Sequence, residues 1–251
     1  MKVTVVIAAY NEAENIGPLT QRLIRTLDSI NDFTWNLIYV IEGTDGTVDV
    51  ARGFALTRPE IEIHYHEQPS GLGRAFRRGF DSIPSDADFV VTMDADQNHQ
   101  PEEIPRLLTV ARETLADIIV GSRRVDHSEV EGMPRWKSAI SGLVNYQMRI
   151  MMGVPIHDMT SGFRVYRATA LRQIQYDSAG FAFLPEILII AACRRYKIVE
   201  EPIRFVFREA GESKMRIPST GWSYLKLFAS HFLASIFSAE RHADGVRTSG
   251  R

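Results

Sequence analysis

Asp94 and Asp96 stand two residues apart at the end of an apolar run over 89–93. Two carboxylates so spaced in a strand-to-loop turn can converge on one hard cation. Mg2+ or Mn2+ takes such oxygen ligands while also binding phosphate oxygens. A cation held there would neutralise charge on a departing diphosphate. An Asp-x-Asp pair alone reads equally as a solvated acidic turn, so its surroundings decide. The run over 3–8 leads into Tyr10, Asn11 and Glu12, side chains able to stack on a base and hydrogen-bond to it. The run over 36–41 leads into Glu42, Gly43, Asp45 and Gly46, which offer acids to a ribose or base and glycines for tight turns. The run over 61–66 is followed by Ser70-Gly71-Leu72-Gly73-Arg74, a loop suited to approach a phosphate or sugar. Four successive strand ends carrying ligand-type residues are hard to explain as structural turns.

The elements that must position these residues follow from periodicity. The runs over 3–8, 36–41, 61–66, 89–93 and 118–120 are rich in β-branched residues and predict strands. Ile16, Leu19, Leu23, Ile24, Leu27 and Ile30 recur at helical spacing, in a helix starting near Glu14. Further helices fit 48–56, 71–82 and 101–115, the last with Pro101 in its first turn. Alternation of this kind predicts an α/β fold, a mostly parallel central sheet flanked by helices. Ligands bind such sheets beyond the carboxyl ends of the strands, where the residues above fall. The second half is less regular. An amphipathic helix is expected over 137–152, with Ile140, Leu143, Val144, Met148 and Met151 on one side and Ser138, Ser141, Asn145 and Arg149 on another. Strands are expected over 163–166 and 203–207, and a helix after the Pro185-Glu186 turn.

Composition bounds the function. The 251 residues suffice for one large domain or two small ones, and a net charge of −2 gives no basic excess for nucleic acid. A single cysteine, Cys193, excludes an internal disulfide and reads as a small core residue. The run over 3–8 is too short and too soon followed by polar residues for a secretory signal, which predicts a cytoplasmic protein. No segment reaches ~18 uninterrupted apolar residues, the span of a membrane helix. The stretch over 222–237 comes nearest, interrupted by Lys226 and His231. It reads as a helix packed on the domain, a contact in a homodimer, or an interfacial helix on the cytoplasmic membrane face.

In order and spacing, these segments resemble the inverting glycosyltransferase family 2, specifically its polyprenol-phosphate (dolichol-phosphate) mannosyltransferase-like branch. AAYNEAENI, GLGRAFRRGF, MDADQNHQPEEIP, GSRRV, MTSGFRVY and EEPIRFVFREAGESKM carry the resemblance, from residue 3 to about residue 214. It implies the GT-A fold of nucleotide-diphospho-sugar transferases over 1–217, with 218–251 as a C-terminal helix and polar tail. It implies that Ala9, Tyr10 and Glu12 line a nucleotide, and that Val40 and Glu42 hold its base and ribose. Asp94, Ala95 and Asp96 would meet ribose, diphosphate and metal, and Asn98 falls where the family often has a metal-binding glutamine. Whether Gln97 or Asn98 approaches the metal stays open. Arg123, Arg208 and Lys214 would grip phosphate, diphosphate or sugar, and with Asp96 form the expected catalytic set. The expected cofactor is Mg2+ or Mn2+. The donor is GDP-mannose or UDP-glucose, and the acceptor a polyprenyl phosphate or a soluble molecule. The segment VIEGTDGT is one residue shorter than the family's usual VDDGSTDGT, which leaves the base open and keeps a catalytically silent nucleotide-sugar-binding module in view.

Charge considerations point the same way. A phosphate-monoester acceptor is already anionic and needs no strong general base. It needs positive charge, which Arg123, Arg135, Lys137 and Arg149 could supply, with Ser141 on the same helix as Lys137. The seven histidines show no HExxH spacing. His99 reads as a supporting residue beside the acids, and His157 as equally structural. Glu186 faces the cleft or is a buried helix-start acid.

Overall fold

The computed structural model describes residues 1–207. Arg208, Lys214, the 217/218 division and the 222–237 stretch lie outside the described residues. The first half alternates strictly: β1 (Lys2–Tyr10), α1 (Ala13–Asp28), β2 (Thr34–Glu42), α2 (Thr47–Ala55), β3 (Ile61–His66), α3 (Leu72–Asp81) and β4 (Phe89–Asp94). A 3-10 turn (Pro101–Glu103) then opens α4 (Ile104–Thr114), so the helix expected over 101–115 begins more tightly wound. After β5 (Ile118–Ser122) come β6 (Glu129–Glu131), α5 (Arg135–Met152), β7 (Arg164–Arg167) and α6 (Ala168–Leu171). The described chain closes with α7 (Phe183–Cys193), β8 (Ile198–Pro202) and β9 (Arg204–Val206).

Seven strands form one sheet in the order β3-β2-β1-β4-β7-β5-β8. All neighbours pair in parallel except β7, which runs antiparallel to both β4 and β5. The central parallel strands β1, β2, β4 and β5 are rich in β-branched residues and largely buried, as in a helix-covered sheet, whereas the edge strands β3 and β8 are only partly covered. Val3, Val5, Ile7 and Ala9 of β1 share a core with Ile16, Leu19, Leu23 and Leu27 of α1, all essentially inaccessible to water. Each such aliphatic side chain contributes ~1.5–3 kcal/mol by leaving water. Arg22 of α1 pairs with Glu102 at 2.6 Å and so ties that helix to the turn that follows the acidic loop.

The second half departs from the sequence expectations in four places. The strand expected over 203–207 is β9, and it pairs with β6 in a separate two-stranded sheet. The helix expected after Pro185-Glu186 begins at Phe183, because proline is tolerated in a first turn whose N–H groups have no helical partner. Cys193 is exposed at the end of α7 and is not a core residue. The expected apolar side of α5 is split: Met148 is buried and Val144 half-buried, while the rest points outward. Ile140, Leu143 and Met151 are exposed together with Trp136, Tyr146 and Ile150, whereas Asn145 and Met148 are the buried residues. Asn145 explains the split. Its amide donates to Ser141 O (2.9 Å) and Thr160 Oγ1 (3.2 Å), and its Oδ1 accepts from Met159 N (2.8 Å). Three hydrogen bonds favour burying this polar position.

Candidate active site

Parallel pairing brings the strand ends to one edge. Tyr10 lies level with Glu42, Glu42 with His66, and Ala8 with Asp94. Because β7 runs the other way, its first residue, Arg164, lies level with Thr92, and the chain just before it returns to the end of β4. Thr92 Oγ1 donates to Gly162 O at 2.8 Å and fixes that return. β5 ends at the same edge and delivers Arg123. The four loops singled out from sequence therefore lie at one edge of the sheet, together with the 158–163 and 123–124 segments.

Asp94 and Asp96 stand at the centre. Asp94 is the last residue of β4, and about a third (36%) of its side chain meets solvent although protein crowds it on its other sides. Burial pushes its carboxyl up to about 6 against the pull of Arg123, with Glu12 adding to the rise. Burial, then repulsion from Asp94, pushes Asp96 up to about 6 as well. Two crowded carboxylates that repel one another, with only oxygen acceptors to offer, fit a hard divalent cation. No third His, Cys, Asp or Glu joins them in a metal-holding group among the described residues. Mg2+ and Mn2+ sites of this kind are completed by substrate oxygens and water. Asn98 donates to Asp96 from its main chain (3.0 Å) and from its side-chain amide (2.6 Å). Gln97, with φ of 61°, turns its amide to Asn15 of α1 at 3.0 Å. Asn98 therefore bonds directly to Asp96, while the Gln97 amide reaches α1. Ala95 is buried between the two acids.

On the nucleotide side, Tyr10 is exposed at the end of β1 and Glu12 follows it, bridged through Asn15 at 2.7 Å. Ala9 and Val40 are buried as whole residues, main chain included, so neither presents a surface to a ligand in this structure. Glu42 is buried and already engaged. It accepts from Ser70 N (2.9 Å), Ser70 Oγ (2.5 Å) and Arg78 Nη1 (2.9 Å), binding the second strand end to the third loop. That loop is not an open phosphate cradle. Gly73 N and Arg74 N both donate to Ala179 O, at 2.8 and 3.2 Å. A Cβ on Gly73 would stand 2.1 Å from Ser178 O, so the approach needs glycine. Glu186 orders the opposing segment by accepting from Asp177 N (2.8 Å) and Ser178 N (2.9 Å), which makes it a buried structural acid.

Beyond the acids lie the cations. Arg123 is held by Asp158 through two side-chain bonds of 2.7 and 2.8 Å, and its guanidinium covers the Phe205 ring at 5.1 Å. Lys137 at the start of α5 rests over Phe207 at 4.7 Å. Ser141 is half-buried on the side of α5 that meets Thr160 through Asn145. His99 is buried between Phe163 and Phe205, with Nδ1 3.5 Å from Asp94 Oδ2. Burial lowers its pKa to about 4, so it is neutral at physiological pH. Asp158, Gly162, Phe205 and Phe207 were not singled out from sequence. A signal for Asp158 existed, since it opens the Asp-Met-Thr-Ser-Gly-Phe-Arg segment just before β7.

Known proteins share this architecture. Residues 4–175 match the model of the Glycosyl transferase family 2, and the chain belongs to that family. An undecaprenyl-phosphate mannosyltransferase of Micrococcus luteus is 38% identical over 219 residues, 86% of this chain and 88% of that protein. A polyprenol monophosphomannose synthase of Mycolicibacterium smegmatis is 34% identical over 85% of this chain and 81% of its own length. Among solved structures, glucosyl-3-phosphoglycerate synthase from Mycobacterium tuberculosis, in complex with Mn2+, UDP and glucosyl-3-phosphoglycerate, superposes with a TM-score of 0.64. It is 20% identical, over 88% of this chain and 75% of that one, and shows the shared GT-A fold. The protein is a glycosyltransferase with a GT-A fold.

Proposed function

We propose that this enzyme transfers mannose, with inversion, from GDP-mannose to a polyprenyl phosphate, and requires Mg2+ or Mn2+ at Asp94 and Asp96. The convergence of four parallel strand ends on the Asp94–Asp96 pair carries the reading. Tyr10 and Glu12 at the strand-end edge receive the nucleoside, with Glu42 bracing the loop beside them. Asp94 and Asp96, with Asn98 beside them, would hold the cation, which when bound would neutralise charge on the leaving diphosphate. A phosphate oxygen of the acceptor attacks the anomeric carbon, and the bond to the diphosphate breaks with its electron pair leaving on the nucleotide. Arg123 and Lys137, with Ser141 nearby, offset the repulsion between the two anions. Arg208 and Lys214 complete the grip on the donor by the family pattern.

Relatives above 30% identity are named undecaprenyl-phosphate mannosyltransferase and polyprenol monophosphomannose synthase, which supports a lipid acceptor. The outward apolar side of α5 supports it too. Trp136, Ile140, Leu143 and Ile150 recur at steps of three, four and seven, flanked by Arg135, Lys137 and Arg149. A helix of this pattern lies in a lipid interface. No described helix is long and apolar enough to cross a membrane. We therefore place the enzyme as a peripheral protein of the cytoplasmic membrane face. The fold relative that holds Mn2+ and UDP keeps UDP-glucose as the competing donor.

The test is transfer of radiolabel from GDP-mannose or UDP-glucose to undecaprenyl phosphate, with Mn2+, Mg2+ or EDTA, read by organic-phase partition. Metal-dependent label in the organic phase from GDP-mannose supports the reading. Label only from UDP-glucose moves the donor assignment. Donor binding without transfer to any acceptor would mark a silent binding module.

A further inference from the structure

Asp158 is fully buried in the loop before β7, and the mechanism above gives it no contact with substrate. Its carboxylate is almost wholly devoted to one neighbour. Oδ2 accepts from Arg123 Nε at 2.7 Å and from Arg123 N at 3.0 Å. Oδ1 accepts from Arg123 Nη2 at 2.8 Å. Thr160 Oγ1 closes the arrangement, donating to Asp158 Oδ1 at 3.2 Å and receiving Arg123 Nη2 at 3.1 Å. The Phe205 ring closes one face of the guanidinium. Asp158 is itself anchored, since its N–H donates to Glu200 Oε1 at 3.0 Å.

We propose that Asp158 is the positioning residue for Arg123, fixing the guanidinium so that its remaining amino group is aimed at the acceptor phosphate. The remaining group, Nη1, makes no hydrogen bond to a described residue. A free arginine side chain samples many rotamers and loses that freedom on gripping an anion. A forked carboxylate partner removes the loss before the ligand arrives, because the plane and direction of the guanidinium are already set. Asp158 also offsets part of the Arg123 charge. The site therefore gains direction at the expense of raw positive potential, which favours a phosphate arriving along one path. This inference rests on the assignment of Arg123 to the acceptor.

The experiment is steady-state kinetics with GDP-mannose and undecaprenyl phosphate in detergent, for wild type, Asp158→Asn, Arg123→Ala and the double variant, with melting curves for each. Asp158→Asn should raise the acceptor KM about tenfold and leave the donor KM within about twofold, the scale of a misaimed binding group. The double variant should be no worse than Arg123→Ala, because Asp158 acts only through that residue. Losses that multiply in the double variant overturn the proposal, as does an unchanged acceptor KM in a folded Asp158→Asn. Where Asp158→Asn does not fold, Arg123→Lys decides. It keeps the charge and loses the fork, so a wild-type acceptor KM overturns the proposal and a raised one supports it. An Arg123→Ala enzyme with an unchanged acceptor KM instead overturns the assignment of Arg123 itself.

Discussion

A Cβ on Gly162 would stand 2.7 Å from Oδ1 of Asp94, closer than real Cβ atoms come to an oxygen. The antiparallel β7 thus sets how far the first acid can move, although the two residues are 68 positions apart in the chain. Gly162→Ala must displace the Asp94 carboxylate, since the main chain at 162 is tied by Thr92. Misplacement of a reacting group by ~1 Å can lower turnover about a hundredfold. The expected result is a loss of at least tenfold in kcat with a weaker Mn2+ response, and little change in melting temperature. Wild-type metal activation in Gly162→Ala would show that the carboxylate has room to spare.

Asp96→Ala should abolish metal-dependent turnover and leave the fold intact, because Asp96 is half-buried in a loop and its carboxylate is tied to its near neighbour Asn98 rather than to a distant element. Thermal shift separates binding from chemistry. A cation that binds the native state raises the melting temperature with the ratio of concentration to affinity, ~2.7 kcal/mol at a hundredfold excess over Kd. Mn2+ together with GDP should stabilise wild type and not Asp96→Ala. An equal shift in both would remove Asp96 from the metal site.

Much of this was legible in the sequence, and the boundary has a physical basis. β1 to β4 are short apolar runs rich in β-branched residues, and helical spacing marks α1 between the first two, so the strand ends carrying Tyr10, Glu42 and Asp94 could be placed on one edge from pattern alone. The second half was harder because its organising groups are buried polar residues, which periodicity treats as surface. Asn145 draws a polar position of α5 inward by hydrogen bonding to Met159 and Thr160, fourteen and fifteen residues further along the chain. Glu42, expected at a base or ribose, is engaged by Ser70 and Arg78, and Glu186, whose type fits a cleft acid or a buried helix-start acid equally, serves the 177–178 main chain. An acid's type gives its chemistry; its partners come from the fold.

The Glu42–Arg78 pair yields a further expectation. Glu42 is buried, and Arg78 is about a third exposed (35%), so solvent weakens the pair without removing it. Arg78→Ala leaves Ser70 as the remaining partner of the carboxylate and should lower stability by ~1–2 kcal/mol. The loop at 70–73 then loses one of its ties, and the donor KM should rise while the acceptor KM holds. A donor KM unchanged in Arg78→Ala would separate this bracing from nucleotide binding.

Acid sensitivity follows from Asp158. Burial alone would raise its carboxyl, but Arg123 beside it holds the folded value far below the ordinary 3.8. The unfolded chain therefore binds this proton more readily than the native protein. The pair's stabilisation is complete above about pH 4 and drains as pH falls toward the depressed folded value, at ~1.4 kcal/mol per pH unit. Urea midpoints of wild type should fall more steeply below about pH 4 than those of Asp158→Asn. Parallel slopes would mean that the carboxyl titrates alike in both states.

The outward apolar side of α5 makes the last prediction. Ile140 and Leu143 are each more than half exposed, at 51% and 57%, so a charge there meets water and should change stability by less than ~0.5 kcal/mol. In a lipid interface the same charge is costly, because the helix side that enters the acyl region must stay apolar. Ile140→Glu with Leu143→Glu should leave the melting temperature and the rate on a short, detergent-dispersed acceptor unchanged. It should lower co-sedimentation with anionic vesicles and the rate on a long-chain acceptor held in them. Analytical ultracentrifugation adds the control, since a side that pairs two copies would shift the variant's mass and leave vesicle binding alone. Equal vesicle binding by both proteins would remove α5 from the membrane contact and return that role to other surfaces of the chain.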